Sequence, residues 1–113
     1  MFQGLSQIAN LMKQLPRIRE EATRLQERVG QISVEGDAGA GMVKVKVNGR
    51  MELTACAISD EAWKLNDREM LEDLVKSAVN QAIGRARQKV AEETNKMATD
   101  LGLPPGMELP GMG

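Results

Sequence analysis

Apolar residues recur along the first thirty positions at alternating steps of three and four: Ile8, Leu11, Leu15, Ile18, Ala22, Leu25 and Val29. This is the seam of an amphipathic helix, with the apolar side chains on one line. The pattern predicts a first helix over about residues 5–29, ending near Gly30, a residue suited to the left-handed position just past a helix. Pro16 falls inside it. A proline there removes the hydrogen bond to the Met12 carbonyl and crowds that turn, at about 3 kcal/mol in a straight helix interior. The helix therefore either kinks near residues 12–16 or begins its regular part at Pro16. The seam keeps its phase across the proline, which favours the kink.

Past Gly30 the period changes to two. Ile32 and Val34 alternate with polar residues, GDAGAG reads as a flexible connection, and Val43, Val45 and Val47 alternate with Lys44 and Lys46. Strands are expected over about 31–36, 42–48 and 51–58, and Asn48-Gly49 signals a hairpin between the last two. A two-residue loop would place Arg50, Glu52 and Thr54 on the valine face; a three-residue loop places Met51, Leu53, Ala55 and Ala57 there. The longer loop is preferred because it keeps that face apolar, and it is also expected to bring Lys46 opposite Glu52. Gly49 suits the shorter turn better. Ile58 then faces outward unless a bulge near Cys56 restores it.

Helical periodicity returns at Met70, Leu71, Leu74, Val75, Ala78, Val79, Ala82, Ile83, Ala86 and Val90. A second helix is expected over about 67–99, capped by Asn66 or Asp67, with Glu69 completing a capping-box-like start. The order is thus helix, three strands, helix: one domain over 1–100, followed by a Gly/Pro/Met-rich tail over 101–113 without periodicity. At 1.5 Å per residue, helices of about 25 and 33 residues span roughly 37 and 50 Å, against roughly 23 Å for a seven-residue strand. The helices must overhang the sheet. Their overhanging seams need a partner, and a second copy of the same chain is the simplest one.

Composition narrows the chemistry. The 113 residues include one cysteine and no histidine, so a disulfide framework or zinc cluster within one chain is excluded. The usual nucleophile-and-base pairings lose their commonest base, and Cys56, in a strand with no evident activating group, is expected to be a buried structural thiol. The chain is read as a non-enzyme without a cofactor or metal. GDAGAG lacks the following Lys-Ser or Lys-Thr of a phosphate loop. The acids Asp67, Glu69, Glu72 and Asp73 do not follow calcium-loop spacing; they suit the first turns of a helix, where the macrodipole favours negative charge. Phe2 and Trp63 are the only aromatic residues, too few for a base-stacking platform on single strands. Neither a leader-like N-terminus nor a membrane-length apolar run is evident, and a cytoplasmic protein is expected.

The formal charge is only −1, but it is unevenly distributed. Residues 60–73 carry six acids against Lys64 and Arg68, whereas 74–91 carry Lys76, Arg85, Arg87 and Lys89 without an acid. On the first helix, Lys13, Arg17, Arg24 and Arg28 fall within an arc of roughly 60°, opposite the apolar seam. Such a stripe is either a solvated face, with Glu20 and Glu21 pairing Arg24, or a surface for phosphates. On the second helix the cations are less cleanly phased, with Lys76 and Arg87 on one line and Arg85 and Lys89 about 180° away.

The segments GDAGAGMVKVKVNGRMEL and DREMLEDLVKSAVNQAIGRARQK, with NLMKQ near the start and LGLPPGMELPG at the end, closely resemble the YbaB/EbfC family of bacterial nucleoid-associated proteins over essentially the whole length. The resemblance implies an α+β fold of α-β-β-β-α order with a three-stranded antiparallel sheet, and a homodimer whose long helices project like tweezers. It implies a protein of the cytoplasm and nucleoid that binds double-stranded DNA with low or modest sequence preference, organising the nucleoid and sometimes affecting transcription. Carried over by position, the DNA contacts fall on Lys13, Arg17, Arg24 and Arg28, and on Arg85, Arg87 and Lys89. No residue set looks built to read bases. Two alternatives lack direct DNA binding: a prefoldin-like holdase whose helix tips grip apolar segments, and an adaptor recruited by a replication or recombination protein.

Overall fold

The computed structural model describes residues 2–102. It contains α1 (Phe2–Gln31), β1 (Ser33–Ala38), β2 (Val43–Asn48), β3 (Leu53–Ile58), α2 (Asp60–Lys64) and α3 (Arg68–Asp100). The strands form one open antiparallel sheet in the order β1-β2-β3. The expected α+β order is present with one addition, the short helix α2. The tail beyond Gly102 lies outside the described residues.

Residues of α1 are helical without interruption through both Pro16 and Gly30, so neither a break at the proline nor a stop at the glycine occurs. A Cβ at this position would come within 3.2 Å of the Arg50 guanidinium, which sits at the C-terminal end of α1, where the free carbonyls favour a cation. The left-handed stop expected there is found instead at the end of α3, where Gly102 has φ 75° and its amide donates to the Thr99 carbonyl at 3.0 Å.

The β2–β3 turn has the longer loop. The Asn48 amide donates to the Glu52 carbonyl at 3.0 Å, and Met51 takes the left-handed conformation with φ 63°. Asn48 organises the turn through its side chain, whose oxygen accepts from the amides of Arg50 at 2.9 Å and Glu52 at 3.0 Å. Gly49 is needed for a different reason: a Cβ there would run into the Val29 carbonyl of α1.

Beyond the turn the register changes. Val47 pairs with Leu53, but Lys46 pairs with Ala55, so Thr54 is an extra, bulged residue whose hydroxyl donates to the Lys46 carbonyl at 3.2 Å. The bulge overturns the expectation that Ala55 and Ala57 lie on the valine face. Cys56 and Ile58 lie there instead, opposite Val45 and Val43, while Ala55 faces Lys46 in the place expected for Glu52.

The core forms where α3 crosses β1 and β2. Ala78, Ala82 and Ala86, four residues apart on α3, are fully buried with Val43, Val45 and Val47. Small residues let the helix approach closely. At Gly36 of β1 there is no room for any side chain, since a Cβ would strike the Ala78 carbonyl and lie 2.9 Å from the Ala82 Cβ. Two cross-links fix α3 along β1: the Gln81 side chain accepts from the Asp37 amide at 2.8 Å, and Arg85 donates to the Glu35 carbonyl at 2.8 Å.

Both short-range caps are side-chain oxygens. Ser59 accepts from the Ala62 amide at the start of α2, and Asp67 accepts from the Met70 amide at the start of α3, each at 3.1 Å. Ser59 followed by Asp60 and Glu61 is a helix-start signal that the hydrophobic pattern alone misses, because α2 lasts less than two turns.

Past the sheet, the C-terminal part of α3 packs antiparallel against the C-terminal half of α1. Arg17 donates to the Asp100 carbonyl at 3.1 Å, Arg28 approaches Glu93 at 3.9 Å, and Leu25 and Met97 are buried in this stretch. The N-terminal part of α1 continues beyond the end of α3. The chain is consequently a rod of 74 × 20 × 17 Å, as the length mismatch between helices and strands requires.

Candidate nucleic-acid interface

The antiparallel pair formed by α1 and α3 is an arm, and most of the cations singled out in the sequence lie along it. Apolar periodicity turns Leu25 and Val29 toward the sheet end of the molecule and toward α3, leaving the stripe exposed or half-buried along the flank.

Each cation of the stripe has a distinct setting. Lys13 is exposed on the part of α1 beyond the end of α3 and makes no ion pair among the described residues. Arg17 joins the two helices through the Asp100 carbonyl. Arg24 is held by Glu20 at 2.9 Å and Glu21 at 3.1 Å. Both are pairs within the helix, and pairs of this kind on an exposed surface are worth only about 0.3–0.5 kcal/mol. Arg28 is half-buried beside Glu93, with its Nε lacking a hydrogen-bond partner.

Arg24 and Arg28 line one shallow hollow together with Glu21, Glu27 and Asp100. Around Arg28 this passes into a second hollow whose α3 side carries Glu92, Asn95, Lys96, Thr99 and Asp100. Lys96 thus shares a surface with the stripe and pairs with Glu93 at 3.5 Å. The acid-free run that singles out cations on α3 ends before it, so no sequence signal marked it.

The three α3 cations expected to contact DNA, Arg85, Arg87 and Lys89, do not converge. Arg85 reaches across to β1 and bonds the Glu35 carbonyl. Lys89 pairs with Glu92 at 3.7 Å. Arg87 is exposed and has no ion pair among the described residues. Their roughly opposed directions follow from the 100° step of the helix.

Among the described residues no group of three or more His, Cys, Asp or Glu side chains is placed to hold a metal ion, and no helix is long and apolar enough to cross a membrane. Cys56 was expected to be buried and is exposed. The reason is the position of α3, which covers β1 and β2 and leaves the same face of β3 open.

The class the fold defines is α+β: one open three-stranded antiparallel sheet from which a paired, cation-bearing helical arm extends. The model of the YbaB/EbfC DNA-binding family matches residues 3–101, and the chain is a member of that family. It is similar to a solved structure described as the crystal structure of uncharacterized protein HP0035 from Helicobacter pylori. The two share 27% sequence identity with a TM-score of 0.61, over 82% of this chain and 94% of that one. The family is one of DNA-binding, nucleoid-associated proteins and not of enzymes.

Proposed function

We propose that this protein is a homodimeric, nucleoid-associated protein of the cytoplasm that grips double-stranded DNA between its arms by neutralising phosphates, with low or modest sequence preference. The observation that carries the reading is the position of the cations on the arm: Lys13, Arg17, Arg24 and Arg28 along one flank of α1, with Arg87 and Lys89 on α3. Arg85, engaged with the Glu35 carbonyl, adds to the same field with fewer free donors.

The mechanism is counterion release. Each phosphate neutralised frees condensed cations, so the logarithm of the binding constant falls with the logarithm of salt at a slope of about −0.9 per phosphate. The local carboxylates at Glu20, Glu21, Glu92 and Glu93 compete with phosphate for the same guanidinium and ammonium groups. They keep the free protein near neutrality and hold affinity to a modest level. Such binding compacts or coats DNA without choosing a site, and any effect on transcription follows from where the DNA is occupied.

The test is fluorescence anisotropy of a labelled random duplex at several salt concentrations, comparing wild type with a variant carrying Lys13→Ala, Arg17→Ala, Arg24→Ala and Arg28→Ala. Wild type is expected to bind with a steep salt slope and the variant with a shallower one. Failure of the folded wild-type protein to bind duplex at low salt overturns the proposal.

One observation favours a second reading. Leu5, Ile8, Leu11 and Met12 are all more than half exposed on the free end of α1, a surface that fits an apolar protein segment. A holdase or adaptor acting there would bind its partner without salt dependence, which separates the two readings in the same titration series.

A further inference from the structure

The free end of α1 carries an apolar line that nothing covers among the described residues. Every residue from Gly4 to Arg17 is exposed. Leu5, Ile8, Leu11, Met12 and Leu15 fall there within an arc of roughly 120°, continuing the seam whose Leu25 is buried against α3. Helices in proteins owe most of their stability to burying such a face. Pro16 weakens this end further, because it removes the hydrogen bond to the Met12 carbonyl.

The seam is left bare where α3 stops. The two helices run antiparallel, and Arg17 meets the Asp100 carbonyl at 3.1 Å, so the chain leaving α3 starts level with the base of the bare stretch and heads toward the N-terminal end of α1. Gly102 ends α3 in the left-handed conformation, with its amide on the Thr99 carbonyl. Helix ends of this type commonly bring the residue after the glycine into apolar contact with the last turn. That residue is Leu103, and in the last turn Met97 and Ala98 are buried.

We propose that residues 103–113, LPPGMELPGMG, run on from α3 along the bare seam of α1 in the same chain, seating Leu103, Met107 and Leu109 over Leu15, Ile8 and Leu5. Three observations select this segment as the occupant. Its reach fits: Leu103 to Leu109 covers about 19 Å at the roughly 3.1 Å per residue of a proline-rich extended chain, and Leu15 to Leu5 covers about 15 Å of helix. Its backbone fits: Pro104, Pro105 and Pro110 bring no N–H to an apolar surface and hold the chain extended, which lowers the entropy lost on docking. Its charge fits: Glu108 is the one charged side chain in the segment, and Lys13 is the one between Phe2 and Pro16. The docked segment acts as a strap on the arm tip, occupying the surface on which a holdase would act. It lies opposite the cationic stripe and leaves the DNA reading untouched.

Two measurements test the strap on the full-length chain. The first is amide hydrogen exchange of residues 5–15 in wild type and in a variant carrying Leu103→Ser, Met107→Ser and Leu109→Ser. These substitutions lie outside the packed core, and circular dichroism checks that the fold is retained. Exchange of the tip is expected to be at least about fivefold slower in wild type, with the amides of β2 equal in both proteins.

The second is disulfide closure with oxidised glutathione in a Cys56→Ser background. Ile8→Cys with Met107→Cys places the pair on the seam, whereas Asn10→Cys with Met107→Cys moves one thiol to the opposite side of the helix. The seam pair is expected to close within one chain at least about tenfold faster than the control pair. Equal exchange of the tip in wild type and variant, equal closure of the two pairs, or disulfides joining two chains each overturns the proposal. The last result would give the seam to a second copy, and equal exchange would leave it open to another protein.

Discussion

Val45 and Cys56 face each other across the β2–β3 ladder and point to the same side of the sheet, yet the valine is buried and the cysteine open to solvent. Only the lateral position of α3 separates their environments. The helix is drawn toward β1 by the close approach at Gly36 and the Arg85 and Gln81 cross-links, and a single helix is about 10 Å wide, enough to cover two strands spaced about 4.8 Å apart but not a third.

The close approach at Gly36 sets that position, so Gly36→Ala is expected to destabilise the fold by about 3 kcal/mol, the upper end of ordinary overpacking, because the obstructing atoms belong to helix backbone. Urea unfolding should show a lower midpoint with an unchanged slope.

Arg85 and Arg87 lie two residues apart and are expected to behave oppositely. Arg85→Ala removes the bond to the Glu35 carbonyl and should lower stability by about 1 kcal/mol, with little change in the salt dependence of DNA binding. Arg87→Ala should leave the melting temperature in place and make the salt slope shallower by about 0.9 for each phosphate no longer neutralised. Thermal melts and anisotropy titrations on the two variants check both.

On the proposed function, the carboxylates beside Arg24 are expected to restrain binding. Glu20→Gln with Glu21→Gln frees the guanidinium and removes two negative charges from the flank proposed to meet phosphates, and duplex affinity at low salt should rise about two- to tenfold. The gain should fade as salt approaches the molar range. Helix stability should drop by no more than about 1 kcal/mol when the two ion pairs are removed. Anisotropy titrations and thermal melts of the double variant read the two effects separately.

Asp67 holds the first turn of α3 through the Met70 amide. Asp67→Ala should cost about 1 kcal/mol, and Asp67→Asn much less, because asparagine caps nearly as well. Chemical denaturation separates the two variants.

Much of the fold was legible because it rests on periodicity. The seam from Ile8 to Val29, the alternating valines and the long apolar stripe from Met70 to Val90 specify helix, strand and helix in order. What periodicity could not give were features decided by residues distant in sequence. Gly30 and Gly49 looked like a helix stop and a turn residue, but Gly30 lies inside the helix, and Gly49 is small because the Val29 carbonyl passes close by. The bulge at Thr54 changed which residues of β3 face the core; the outward direction otherwise expected for Ile58 hinted at one near Cys56, but not at its place. At the arm, the stripe on α1 followed from the 100° step alone. The direction taken by Arg85 depended on where β1 lies, and the place of Lys96 beside the stripe depended on how α1 and α3 pair.

The arm also behaves as a ruler. Past the sheet, α1 and α3 touch each other and little else, and the close approaches that anchor the sheet, at Gly36 and Gly49, lie outside that paired stretch. Reach is therefore set by residue count: seven residues added to each helix within the paired segment would lengthen the arm by about 10 Å while preserving its phase. The distance from the sheet to the tip can change by insertion or deletion without rebuilding the sheet, so the span available to a ligand is a separately adjustable quantity.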